Sequence, residues 1–169
     1  MPISIGMLGF FYYFIVMKNI HKLSKYLNDL ESHIPKFEEK NIKVSTSTVG
    51  WQIDHSLKVV NGIIGSLKDA PTDKRSKLTL LGRFCLFFKY IPRGKGKAPK
   101  QVLPPETIYK SQLNDQLTIA KALISQLKEV NSKATFKHPY FGIFNKEQTL
   151  NFIEIHTKHH LKIIDDILR

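Results

Sequence analysis

Ile53, Leu57, Val60, Ile64 and Leu67 recur at alternating intervals of four and three, a spacing that lines one face of an α-helix and no face of a strand. Leu113, Leu117, Ala120, Ile124 and Leu127 repeat the same step. A further set, Ile20, Leu23, Leu27, Leu30 and Ile34, stops at Pro35, which has no amide hydrogen to continue a helix. The last segment opens at Asn145, a residue type that caps free amides while Gln148 can reach back to it, and it continues to the end of the chain. Four such stripes must bury against one another, and no strand-like alternation persists. The expected fold is therefore all-α: an antiparallel four-helix bundle with a long crossover, Lys68 to Pro104, between the second and third helices. Inside the crossover, Leu78 to Ile91 is apolar enough for a short helix, and the loop PRGKGKAPK follows it.

With 169 residues, 42% of them hydrophobic, the chain suits one ordinary domain and excludes a disordered composition. A single cysteine, Cys85, excludes an internal disulfide and a Cys-rich zinc framework. Set in GRFCLFF, it reads as a buried, inert thiol. Any metal site must then use His, Asp or Glu.

The net charge is +12, from 26 basic and 14 acidic residues. Ten of those bases and only two acids lie between Lys68 and Lys100, so most of the imbalance belongs to the crossover. Such a segment favours an anionic partner. Nucleic acid is disfavoured, because no recognised motif is present and aromatic residues do not interleave with PRGKGKAPK.

Residues 1–16 form an uncharged, apolar N-terminal extension, set apart from a bundle domain at 17–169. The run from Ile3 to Met17, as a helix, would reach about 22 Å, short of a hydrocarbon core of about 30 Å. It has neither the basic start nor the small-residue cleavage site of a signal peptide. Three readings fit: translation that begins at Met17, a short membrane anchor through residues 3–17 followed by Lys18, Lys22 and Lys25, or an extra packed helix. The expected location is cytoplasmic, with N-terminal membrane anchoring as the alternative.

Of seven histidines, three fall in the final helix. On a helical wheel His156 and His160 lie within the apolar stripe of Phe152, Ile153, Ile163, Ile164 and Ile167. Asn151, Glu154, Lys158, Lys162 and Asp165 make the polar face, and His159 stands on the shoulder. Two imidazoles one turn apart in an apolar interior need hydrogen bonds or coordination. A divalent ion bridging residues i and i+4 satisfies both; a hydrogen-bonded core pair is the alternative. A third ligand is available in His55 of WQIDHSLKVV, at the margin of its helix's apolar arc, where a core-facing position is permitted without being demanded. His21 and His33 read as surface residues. His138 opens HPYFG, whose Pro139 and Gly142 suit a turn.

These residues carry a resemblance. The W-x-x-x-H of the second helix, the basic crossover, and HPYFG followed by IHTKHHLKII resemble the DinB/YfiT-like superfamily, within it a branch without an assigned activity. The similarity covers roughly Met17 to the C-terminus. It implies a four-helix bundle with a divalent ion, zinc or nickel, held by His55, His156 and His160, with His159 outside the ligand set. Relatives include transferases and isomerases that use low-molecular-weight thiols such as bacillithiol or mycothiol, and metal-dependent hydrolases. The expectation is thiol-dependent transfer at a three-histidine metal site, with hydrolysis by metal-activated water as the alternative. A bundle that binds anions or nucleic acid without catalysis, and one that keeps a metal only for stability, complete the alternatives. Arg93, Lys95, Lys97 and Lys100, with His138, Tyr140 and His159, are candidates for holding an anionic substrate or thiol cofactor, against a plain solvated loop. Pairing of helical faces would give a homodimer. No carboxylate can be assigned as a general base.

Overall fold

The computed structural model describes residues 7–94 and 98–169. Among these, the chain is mostly helical, with a small three-stranded sheet. Helix α1 spans Met7–His33 and α2 spans Val49–Lys68; α4 spans Lys110–Ser125 and α5 spans Lys146–Ile167. The crossover holds strand β1, Lys77–Leu78, and a short helix α3, Leu80–Phe88. Strands β2, Thr135–His138, and β3, Gly142–Asn145, form a hairpin before α5.

Local chemistry places the helix ends. The Thr48 side chain accepts the Trp51 amide at the start of α2, at 3.1 Å. At α5 the reciprocal cap is complete, with Gln148 N–H donating to Asn145 Oδ1 at 2.9 Å and Asn145 N–H to Gln148 Oε1 at 3.0 Å. Two of the eight or so terminal amides and carbonyls that a helix leaves open are closed there. α1 gives way at Pro35 to a single 3-10 turn, Ile34–Lys36.

The stripes read from the sequence are the core. Leu23, Leu27 and Leu30 of α1 meet Ile53, Leu57, Val60 and Ile64 of α2, Leu113, Leu117 and Ala120 of α4, and Ile153 and Ile164 of α5. Each of α1 and α2 packs on both α4 and α5. Lys22 pairs with Glu154 at 2.9 Å and His33 approaches Asp165 at 3.6 Å, so α1 and α5 run in the same direction. Gln52 meets His160 and His55 meets His156, so α2 runs opposite to α5. Lys146, at the start of α5, donates to the Val130 carbonyl five residues beyond α4 at 2.6 Å. Thr135, before α5, donates to the Pro71 carbonyl just beyond α2 at 3.2 Å, so α2 and α4 both end where α5 begins. The helices are thus two parallel pairs. The long crossover has a mechanical purpose: it carries the chain back to the end where α2 began.

Three features depart from the sequence reading. The strands were not anticipated, because two to four residues are too few for alternation to register. α1 continues unbroken through Met17 as far as Met7, and Val16 is a buried core residue. Glu154, placed on a solvated face by the wheel, is buried because α1 covers that side of α5. Among the described residues, no helix is long and apolar enough to cross a membrane; residues 1–6 of the apolar extension lie outside them.

Candidate metal centre

The antiparallel packing of α2 on α5 sets His55 against the pair on α5. The His156 and His160 rings stand 4.5 Å apart between centroids, and His55 lies 5.1 Å from the first and 4.8 Å from the second. One ligand atom from each of the three lies within 4.8 Å of the others. Two nitrogens bound at about 2.1 Å to one tetrahedral ion stand about 3.4 Å apart, so small ring rotations close the cluster. Among the described residues it is the one group of three or more such side chains able to hold a metal ion, and no carboxylate belongs to it.

Neighbouring acceptors orient the rings. His55 Nδ1 lies 2.8 Å from the Val102 carbonyl, which can only accept, so Nδ1 carries the proton and Nε2 keeps its lone pair. His160 Nδ1 lies 2.6 Å from Gln52 Oε1. The Gln52 amide nitrogen turns the other way, donating to Ser45 Oγ at 3.4 Å, which fixes its oxygen as the acceptor for His160. This is the outer arrangement that sets a metal-binding histidine's tautomer. The Trp51 ring stacks on His55 at 5.1 Å and 23°, holding its plane. His156 Nδ1 is buried with no partner among the described residues. An orphaned imidazole nitrogen beside two oriented rings is the polar deficit that coordination removes, so these residues fit a divalent ion.

Protonation favours the same role. Burial drives the His55, His156 and His160 pKa values down from the ordinary imidazole range; for the α5 pair the neighbouring histidines add to this. The Val102 bond partly opposes the shift at His55. Neutral imidazole is the ligating form.

The other expected site residues are dispersed. The His159 imidazole is pushed down to about 4, first by burial and then by Arg93, with the Ile91 backbone opposing. It lines a cavity of about 270 Å³ with Lys89, Tyr90, Arg93, Lys158 and Lys162, edge-on to His160 at 5.0 Å. Arg93 pairs with Asp166 at 2.8 Å. Lys100 is exposed at the start of the 3-10 turn that presents Val102, and Lys95 and Lys97 lie outside the described residues. His138 serves the hairpin: its Nδ1 accepts the Tyr140 and Phe141 amides at 3.1 and 3.3 Å, and its ring stacks on Phe141. Phe152 contacts both the His138 ring and that of His156, at 5.0 and 5.9 Å between centroids. Tyr140 is exposed on the turn. Asp54, next to His55 in sequence, faces away to pair with Lys58 and accept from Gln116, each at 2.7 Å. Cys85 is buried, its thiol pushed up to about 11.

Gln52 and the Val102 carbonyl were not picked out from the sequence. Gln52 carried one legible signal, a polar side chain three residues before His55; a main-chain carbonyl carries none. Searches of family models, curated proteins and solved structures find no match to this chain.

Proposed function

We propose that the protein is a divalent-metal-dependent enzyme of the DinB/YfiT-like type, a four-helix bundle whose His55, His156 and His160 hold zinc or nickel for thiol-dependent transfer. The observation that carries this reading is the pair of oriented tautomers at His55 and His160 beside the unpartnered Nδ1 of His156. When bound, the ion supplies Lewis acidity that favours the thiolate form of a thiol. The chain supplies the rest. Gln52 and Val102 hold two protons away from the cluster, Trp51 and Phe152 pack against the His55 and His156 rings, and Lys89, Lys158 and Lys162 beside His159 offer charge to an anionic substrate or thiol cofactor. Hydrolysis is the second reading. Among the described residues no carboxylate belongs to the three-histidine cluster, so in either reading a general base would have to come from elsewhere.

The test is metal content by plasma mass spectrometry on tag-free protein, wild type against His156→Ala. Near-stoichiometric zinc or nickel in the wild type, lost in the variant, is expected, followed by transfer activity with a low-molecular-weight thiol. A wild type that retains no ion after incubation with either metal and dialysis overturns the proposal.

A further inference from the structure

A surface helix ordinarily turns a polar face to water. α3 does not. Its inner face is Gly82 and Cys85, both buried, with Leu86 half-buried. Gly82 sits so close to the hairpin that an added Cβ would stand 2.3 Å from the Phe141 carbonyl oxygen. Its outer face is Leu80, Leu81, Phe84, Phe87 and Phe88, all exposed, spread over an arc of about 120° at 100° per residue. Leu80 and Phe87 are 84% and 81% exposed, so whole side chains stand in solvent. Phe88 contacts both Phe84 and Phe87, at 4.5 and 4.9 Å between ring centroids, which makes one continuous aromatic patch. A patch of this kind on a folded chain marks an interaction surface.

Charge decides what covers it. Lys74, Arg75, Lys77, Arg83 and Lys89 flank the patch and are all exposed, and the sequence has no acidic residue between Asp73 and Glu106. A second copy docked face to face would set these cations against themselves. An anionic bilayer surface meets both features, with aromatic rings at the headgroup boundary and cations among lipid phosphates. A helix of nine residues is too short to cross a bilayer, so it would lie in the interface. We infer that α3 and its basic flanks form a docking surface for an anionic phospholipid membrane, independently of what the histidines bind.

The experiment is co-sedimentation of the full chain with phosphatidylcholine vesicles, with and without phosphatidylglycerol. Binding roughly ten-fold tighter to the anionic vesicles, weakening as salt rises, is expected. Leu80→Ser with Phe87→Ser should lower it roughly ten-fold and leave the melting temperature unchanged, since both side chains are exposed. Arg75→Glu with Arg83→Glu should abolish the preference for anionic lipid. Equal binding to both vesicles, or binding indifferent to the serine substitutions, overturns the inference and assigns any membrane affinity to residues 3–17. A dimer in sedimentation equilibrium that the serine variant dissociates also overturns it, because a second copy then covers the face.

Discussion

The proton on each imidazole is set by a neighbour. His160 presents Nε2 to the cluster because Gln52 Oε1 accepts from its Nδ1, and His55 does so because the Val102 carbonyl accepts from its own. Replacing Gln52 by Leu removes an acceptor without touching a ligand. The expected result is a loss of roughly 10–100-fold in metal affinity, measured by zinc competition with a chromophoric chelator, while Gln52→Glu keeps an acceptor and retains most of it. Equal affinity in wild type and Gln52→Leu would show that His160 needs no such partner. The histidines were legible because imidazoles interrupt an apolar stripe. Gln52 was less so, because one buried amide (3% exposed) looks in sequence like any polar residue at a helix's edge.

The hairpin shows how a short element depends on one backbone conformation. Gly142 has φ of 92°, and an added Cβ would stand 2.2 Å from the Lys77 carbonyl oxygen, in the register that joins β1 to β3. Gly94 also has a positive φ, 69°, but among the described residues nothing lies within 4 Å of its Cβ direction. Gly94→Ala should therefore cost about 1 kcal/mol, from backbone strain alone, and Gly142→Ala about 3 kcal/mol or more, because the strand must also move. Urea unfolding of both variants checks the order; equal costs would mean that the β1–β3 register contributes little. β3 leads straight into the Asn145 cap, so the larger loss should also loosen the first turn of α5. HPYFG identified the turn, yet nothing local announced that β1, far away in the crossover, would pair with its second strand.

Five histidines on three elements are held below their ordinary pKa: His55, His138, His156, His159 and His160. Each binds its proton more weakly folded than unfolded. Between the unfolded value near 6.5 and the lower folded values the unfolded chain takes up more protons, so stability falls as pH falls. The metal-free protein should be most stable above pH 6.5 and lose stability steadily toward pH 4, as read from urea unfolding across that range. His138 is pushed down to about 4 by burial. His138→Asn, which keeps an acceptor for the turn amides, should flatten the acid limb by about 1 kcal/mol after allowance for partial exposure. A profile flat from pH 7 to 5 would contradict the burial of these rings. Zinc should steepen the acid limb, since ligands must be neutral to bind.

Periodicity alone was enough to place α2, α4, α5 and most of α1, because a helix's buried face is written in its own residues at fixed spacing. The placement of His156 and His160 on a buried stripe came from the same local rule. Whether His55 would join them could not be read locally, because its position at the edge of its stripe is resolved only by α2 lying antiparallel on α5. The Val102 carbonyl, the pairing of β1 with β3 and the covering of Glu154 by α1 belong to the same class. They are contacts between residues distant in sequence, and it is the return path of the crossover and the packing of whole helices that bring them together.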